Sequence, residues 1–334
     1  MSLWSSARLL GAGALAVAAL VLSSCDRGDD GGASGAPAQI TFSILSAQGQ
    51  ASAGPLWQPL LDDLAETIGV PVRPHFASTY ATLIEDMKRG ETQVAWFSAQ
   101  PAVDAIDNAD AELIARTISL QGDDSYRATL IVRRGSGITL DSVLACGKRY
   151  SFGTADARST SGTLAPATFL FNPRNIRPAD CFASVRPDNH ERNAFNVASG
   201  VLDVAASNTV TGAAFLRQNP TLAAQIEEIW QSPTIPEGGI VLRSDLDPAV
   251  KEKIRSFFLT YGRGDGVEAE RQRRVLAGLS YSRFSAADDD YLDPVREMMA
   301  DKALVDAEAR NDAAAAAAAR TELQRLRARR EVQP

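Results

Sequence analysis

Histidine occurs only twice in the 334 residues, as His75 and His190, and cysteine three times, as Cys25, Cys146 and Cys181. These residues form no zinc-type ligand spacing, so neither a metal nor any other cofactor is expected. No long basic run occurs outside the extreme C-terminus, and the formal net charge is −7. That argues against a nucleic acid partner, which demands clustered cations for its phosphates. The motif G-x-S-x-G is absent, and with it the strained nucleophile turn of one large class of hydrolases. What is present is a hydrophobic content of 45% against 22% charged residues. This describes a globular chain with a real core, long enough for two domains.

The N-terminus reads as an export signal. "MSLWSSARLLGAGALAVAALVLSSC" has a short polar start with Arg8, an apolar run from Leu9 to Leu22, and small residues before Cys25. The run is short for a spanning helix and fits a secretory signal over 1–25. "LSSC" resembles the bacterial lipobox, which implies lipidation of Cys25; an ordinary signal with a chance cysteine is the plainer alternative. Residues 26–38, "DRGDDGGASGAPA", read as a flexible tether. Together these place a soluble body in the periplasm, lipid-anchored to a membrane.

Export also exposes thiols to an oxidising compartment. Cys146 and Cys181 each stand just ahead of a β-type run, "YSF" and "FASV". If those strands are parallel neighbours joined by a crossover helix, both cysteines lie at the same strand ends and can pair. Two free buried thiols are the other reading.

From Gln39 onward the pattern alternates strand and helix. "ITFSIL" is followed by "PLWQPLLDDLAETIG", with Leu56, Leu60, Leu61, Leu64 and Ile68 on one helical face and a terminal glycine. The alternation restarts after Gly147 with "YSFGT", "SGTLAPATFLF", "FASVRP", "ERNAFNVASG" and "DVAAS". Such βαβ alternation predicts an α/β fold with two parallel-type sheets covered by helices. Extended crossings near 126–133 and 231–242 would join two lobes, 39–128 with 235–300 and 129–234, and leave a cleft at the strand ends. His75, between Pro74 and Phe76, reads as structural; Trp57, Trp96 and Trp230 read as packing rather than ligand stacking.

One stretch stands out: "RSTSGTLAP", Arg158 to Pro166. A single Ser or Thr would cap the helix that follows. Three hydroxyls with a glycine also suit an anion held on unpaired N–H groups. Arg158 is either a neutralising charge or simply exposed. Pro166 denies the helix one N–H and predicts a kink or a short first turn. The tail, 301–334, contains seven consecutive alanines and ends in arginines, which predicts a helix. It lacks a wide apolar face, so it is expected to project or pair weakly, with a partner chain or anionic lipid as the alternative.

Five blocks carry a resemblance: 75–98 ("HFASTYATLIEDMKRGETQVAWFS"), 152–166, 190–209, 229–243 ("IWQSPTIPEGGIVLR") and 284–298. In order and spacing the chain resembles the periplasmic phosphonate-binding proteins of ABC importers, which have phosphite-binding relatives. The resemblance implies a hinged, two-lobed periplasmic binding protein of type II-like fold, with the helical extension added. It implies an oxyanion cradle of Ser159, Thr160 and Ser161, with Tyr80 from the first lobe and His190 from the second. The family's Trp-Tyr-Gly reads Trp96-Phe97-Ser98 here, which brings Phe97 and Ser98 to the site; Asn208 flanks a strand end that reaches it. Acidic residues that meet an amino group in some members are matched by Val210 and Gly238, with Glu237 one residue off. The expected ligand is therefore a small amine-free phosphorus oxyanion: phosphite, phosphate or a simple alkylphosphonate. The expected partner is an ABC permease. A sensory protein presenting the same ligand to a membrane receptor would have the same sequence features. A hydrolase built on Ser161, His190 and Glu191 or Asp156 would need a separate oxyanion hole, and no enzymatic activity is expected.

Overall fold

The computed structural model describes residues 37–45 and 50–332. Cys25, the signal and most of the tether lie outside them.

Two sheets organise the chain. The first has the order β11-β4-β10-β3-β1-β2, with β1 Ile40–Leu45, β2 Val72–Ala77, β3 Val94–Phe97, β4 Ala111–Ser119, β10 Gly239–Arg243 and β11 Tyr281–Ala286. The second has the order β7-β6-β8-β5-β9, with β5 Ser125–Arg133, β6 Ser151–Thr154, β7 Ser184–Pro187, β8 Val204–Asn208 and β9 Ile226–Pro236. β1, β2 and β3 run parallel, as do β6, β7 and β8. The remaining strands pair antiparallel. The two-lobed α/β architecture follows, with the polypeptide crossing between lobes twice.

The crossings are shorter than the sequence suggested. The stretches 126–133 and 231–236 are strands β5 and β9 of the second sheet, paired with each other from Ser125↔Pro236 to Arg133↔Ile226, and 239–242 belongs to β10. The chain changes sheets at 120–124 and 237–238, where strand pairing lapses. Extended residues look alike whether they cross or pair, so the pattern alone displaced the switch by several residues.

Helix α1, Gln50–Ile68, packs Leu60, Leu61 and Leu64, all fully buried, against Phe42 and Phe258. Helices α2 (Tyr80–Lys88) and α3 (Ala99–Asn108) cover the other face of that sheet, and α4 (His190–Ala198) and α5 (Thr209–Gln218) cover the second. Helices α6 (Pro248–Thr260) and α7 (Val267–Gly278) return to lobe 1.

The helix after "STSG" departs from α geometry on both sides of Pro166. It widens. Residues Thr160–Leu164 and Ala167–Phe171 bond i→i−5, as in Leu164 N to Ser159 O and Asn172 N to Ala167 O. Pro166 has no N–H for the Gly162 carbonyl and its ring would strike it in an α-helix. The freed Gly162 carbonyl instead accepts from Ala155 N at 3.3 Å and Thr154 Oγ1 at 3.0 Å. The π-helix is thereby stitched to the end of β6. Its other end abuts the cysteines, and Cys146 and Cys181 are joined, S–S 2.06 Å, at the head of the parallel β6–β7 pair.

The C-terminal segment corrects two expectations. A boundary at 300/301 falls inside helix α8, Asp293–Ala309, because nothing between those residues breaks a helix. Helix α9, Ala313–Val332, does not project. It folds back on α8, burying Ala316, Ala319, Leu323 and Leu326. Small alanines allow close approach where a wide apolar stripe is missing.

Candidate functional site

The strand ends of both sheets deliver helix N-termini to one cleft of about 770 Å³. Thr79 caps α2, accepting from Thr82 N at 3.1 Å, and so sets Tyr80 at the first helical position. Ser98 precedes α3 in the same way after β3. Ser159 caps the π-helix, its Oγ accepting from Gly162 N at 3.1 Å. Asn189 caps α4 and presents His190; Asn208 caps α5. These are the positions at which backbone N–H groups lack intrahelical acceptors.

Among the described residues, the N–H groups of Thr160 and Ser161 have no acceptor. Ser161 Oγ accepts from Asn208 Nδ2 at 3.2 Å and lies 3.4 Å from His190 Nε2. Burial lowers the His190 pKa from 6.5 to about 4, with the Ala206 carbonyl acting in the opposite sense. The imidazole is therefore neutral at pH 7 and carries one N–H. Burial raises the Tyr80 phenol to about 12, the neighbouring Ser98 hydroxyl opposing it, so it too remains a donor. Ser159, Thr160, Ser161, His190, Asn208 and Tyr80 are all buried. Among the described residues no lysine or arginine is buried. The cradle is neutral and donor-rich.

The remaining expected residues play other parts. Phe97 is fully buried and meets the Tyr80 ring edge-on at 6.1 Å, so it backs the phenol rather than facing the cleft. Thr160 Oγ1 accepts from Gln100 N at 2.8 Å and donates to Ser98 Oγ at 3.3 Å, joining the lobes. Arg158 makes a second link, 2.7 Å to Asp104 of α3, and is neither free nor in the cradle. His75 is paired with Asp86 at 2.9 Å, away from the site.

One group was not legible as a site residue, and another only as a candidate displaced by one position. Tyr126, the second residue of β5, shares its buried face with Ala128, Leu130 and Val132. Its phenol sits beside Ser161, and burial pushes its pKa well up. The period-two pattern put it on that face, but nothing in sequence placed the face at the cleft. Glu237 lies in the second crossing, 5% exposed. Its Oε2 accepts only from Gly238 N at 3.3 Å, and among the described residues Oε1 has no partner. Burial raises its pKa to about 7, Gly238 N–H opposing and Asp124 adding to the rise. Gly238 itself admits no side chain: an added Cβ would lie 2.6 Å from both Phe97 O and Trp96 Cζ2.

Comparison with known proteins gives a consistent picture. The family described as ABC transporter, phosphonate, periplasmic substrate-binding protein matches residues 42–292. The chain is 34% identical over 260 residues to the phosphonates-binding periplasmic protein of Escherichia coli K12, covering 78% of this chain and 75% of that one. The crystal structure of a binding protein component of a Pseudomonas aeruginosa ABC phosphonate transporter superposes with TM-score 0.82 at 34% identity, over 88% of this chain and 98% of that one. The fold extends to PhnD1 of Prochlorococcus marinus in complex with methylphosphonate, TM-score 0.69 at 17% identity, over 83% and 99% of the two chains.

Proposed function

This chain belongs to the periplasmic phosphonate-binding proteins of ABC transporters, and from that premise we propose that its neutral cradle captures a phosphorus oxyanion and delivers it to a permease. The observation that supports this is the convergence of the ends of β2, β6 and β7 on one cleft lined by Thr79, Tyr80, Ser159, Asn189 and His190, with the N–H groups of Thr160 and Ser161, which have no acceptor among the described residues, directly after Ser159. Ser159, Ser161, Asn208, His190, Tyr80 and Tyr126 surround them with hydroxyl, amide and imidazole groups. Fixed dipoles in a dry site hold an anion without a counter-cation, because nothing there needs to reorganise and little water competes. Phosphonate, phosphite and phosphate share the head group this recognises. Cys25 is read as the lipid anchor that keeps the body at the membrane.

The expectation of an amine-free ligand took Glu237 to stand one residue away from the family's acidic positions. Its burial, its unpartnered Oε1 among the described residues and its nearness to Tyr126 support reading it as the group that meets the ligand's substituent. An ammonium group on the ligand would neutralise it, whereas a bare oxyanion leaves it protonated. The ligand's substituent is thus read at Glu237, and not at Val210 or Gly238.

Calorimetry of the mature protein against methylphosphonate, 2-aminoethylphosphonate, phosphite, phosphate and sulfate tests this. At least one phosphorus ligand should bind more tightly than sulfate. Ser161→Ala should weaken all phosphorus ligands alike, by about tenfold to a hundredfold, the worth of a hydrogen bond to a charged group. Glu237→Gln should weaken 2-aminoethylphosphonate selectively. No binding of any phosphorus oxyanion would overturn the assignment.

A further inference from the structure

The turn Asp289–Leu292 sits where the two crossings meet. Tyr291 Oη donates to the Asp124 carbonyl of the first crossing at 2.6 Å and lies 3.4 Å from the Glu237 carbonyl of the second. The Glu237 N–H donates to the same Asp124 carbonyl at 3.0 Å. Arg116 of β4 lies over the Tyr291 ring, 5.0 Å from its centroid, and reaches Asp124 Oδ2 at 3.2 Å. One phenol therefore ties both crossings to lobe 1. The neighbouring Asp290 and Asp293 pair with Arg329 of α9, and Glu297 pairs with Arg330.

Helix α8 leads from this turn onto both lobes. Val295 and Met298 are buried in the cluster that holds Tyr80 and Phe97 of lobe 1. The same cluster contains Leu164 and Ala165 of the π-helix in lobe 2. Further along, α8 packs on the π-helix and β9, and Val305 and Ala309 face Phe171 and Ile176 across a groove of about 540 Å³. The structure has the lobes touching through Thr160–Gln100 and Arg158–Asp104, and the contacts of α8 with lobe 2 belong to that arrangement.

We propose that α8 and α9 form a strap on the hinge: anchored in lobe 1, pinned to both crossings by Tyr291 and pressed on lobe 2, it favours the arrangement in which the lobes touch and so retains bound ligand. The proposal rests on the reading of the cleft as the ligand site. Its logic is that of a two-state equilibrium. Contacts made in one arrangement raise its population, and apparent affinity scales with the population competent to hold ligand. Beside those contacts, the groove of about 540 Å³ between α8 and lobe 2 gives that lobe space to move.

The test uses the full mature chain with two substitutions, Tyr291→Phe, which removes only the hydroxyl, and Arg329→Ala, which frees Asp290 and Asp293. Methylphosphonate dissociation is followed by tryptophan fluorescence, affinity by calorimetry, ligand-free compactness by small-angle X-ray scattering and stability by thermal unfolding. Tyr291→Phe should raise the dissociation rate and Kd by about threefold to tenfold, the scale of one net hydrogen bond, and enlarge the ligand-free radius of gyration. Arg329→Ala should act in the same direction by about twofold, as exposed ion pairs allow. Wild-type dissociation, affinity and compactness in both variants would overturn the proposal, even if their melting points fell. If Tyr291→Phe fails to fold, Arg329→Ala decides. If wild type takes up no phosphorus oxyanion, the reading of the cleft fails, while the ligand-free scattering still decides the strap.

Discussion

Replacing Gly162 with alanine should damage the fold and the cradle separately. A Cβ at Gly162 would lie 2.1 Å from Ala155 Cβ, 2.9 Å from His190 Cε1 and 3.1 Å from Ser159 Oγ. Carbon pairs rest at about 3.5–4.0 Å, so the π-helix and the end of β6 would have to separate by roughly 1.5 Å. That separation breaks the bonds from Ala155 N and Thr154 Oγ1 to the Gly162 carbonyl. Overpacking costs about 1–3 kcal/mol, and alanine returns up to about 1 kcal/mol through helix propensity. A net loss of about 2 kcal/mol should lower Tm by roughly 4–8 °C. Displacing His190 and Ser159 should also raise Kd by at least about tenfold, or 1.4 kcal/mol. Adding Ala155→Gly removes the worst contact, so the double variant should recover most of Tm. Its affinity should stay low, because the His190 contact remains. Thermal unfolding and calorimetry on the three proteins check each step. A single variant with wild-type Tm and Kd, or a double variant no more stable than the single, would refute the reasoning.

Four further outcomes are expected. Cys25→Ala should leave the membrane fraction or remain unprocessed; unchanged processing and membrane retention would reject lipidation. Opening the Cys146–Cys181 bond, which spans 35 residues, should cost about 4 kcal/mol by chain entropy, read as the difference in denaturant midpoints of oxidised and reduced protein. Glu237→Gln should stabilise the ligand-free protein at pH 8, with the gain vanishing toward pH 4.5. The folded-state pKa of about 7 stands above the ordinary 4.5, so the buried proton favours the fold below 4.5 and that contribution is lost as pH rises through 7. His190 runs the opposite way: its contribution is present above 6.5 and lost as pH falls through about 4. His190→Gln should therefore flatten the acid limb of the stability profile.

The alternation of apolar periods was enough to read the two α/β lobes, because parallel strands and their covering helices leave strong, separate signatures. The run Ser159–Thr160–Ser161 was readable as hydroxyls gathered at a helix start, and the expectation of an oxyanion cradle there came from the family resemblance. What escaped has physical reasons. The two i→i−5 segments are five residues each, too short for their period to be told from that of an α-helix, so Pro166 did not announce a widening. The inner face of α9 is Ala316 and Ala319 before it is Leu323 and Leu326, and alanine carries little hydrophobic signal although it packs closely. Tyr126 and Glu237 acquire their surroundings from contacts between segments far apart in sequence, which no local pattern contains.

A site made of dipoles answers to the medium differently from one made of charges. Mobile ions screen exposed charges over about 10 Å at 0.1 M salt, but they do not reach the enclosed N–H and hydroxyl groups around Ser161, which are buried. Affinity should therefore change little between dilute and concentrated salt solutions, apart from direct competition by anions of similar shape. Added salt should instead speed encounter, because it masks the net charge of −7 that repels an incoming anion. In dilute media the protein holds its ligand as firmly as in concentrated ones, but finds it more slowly.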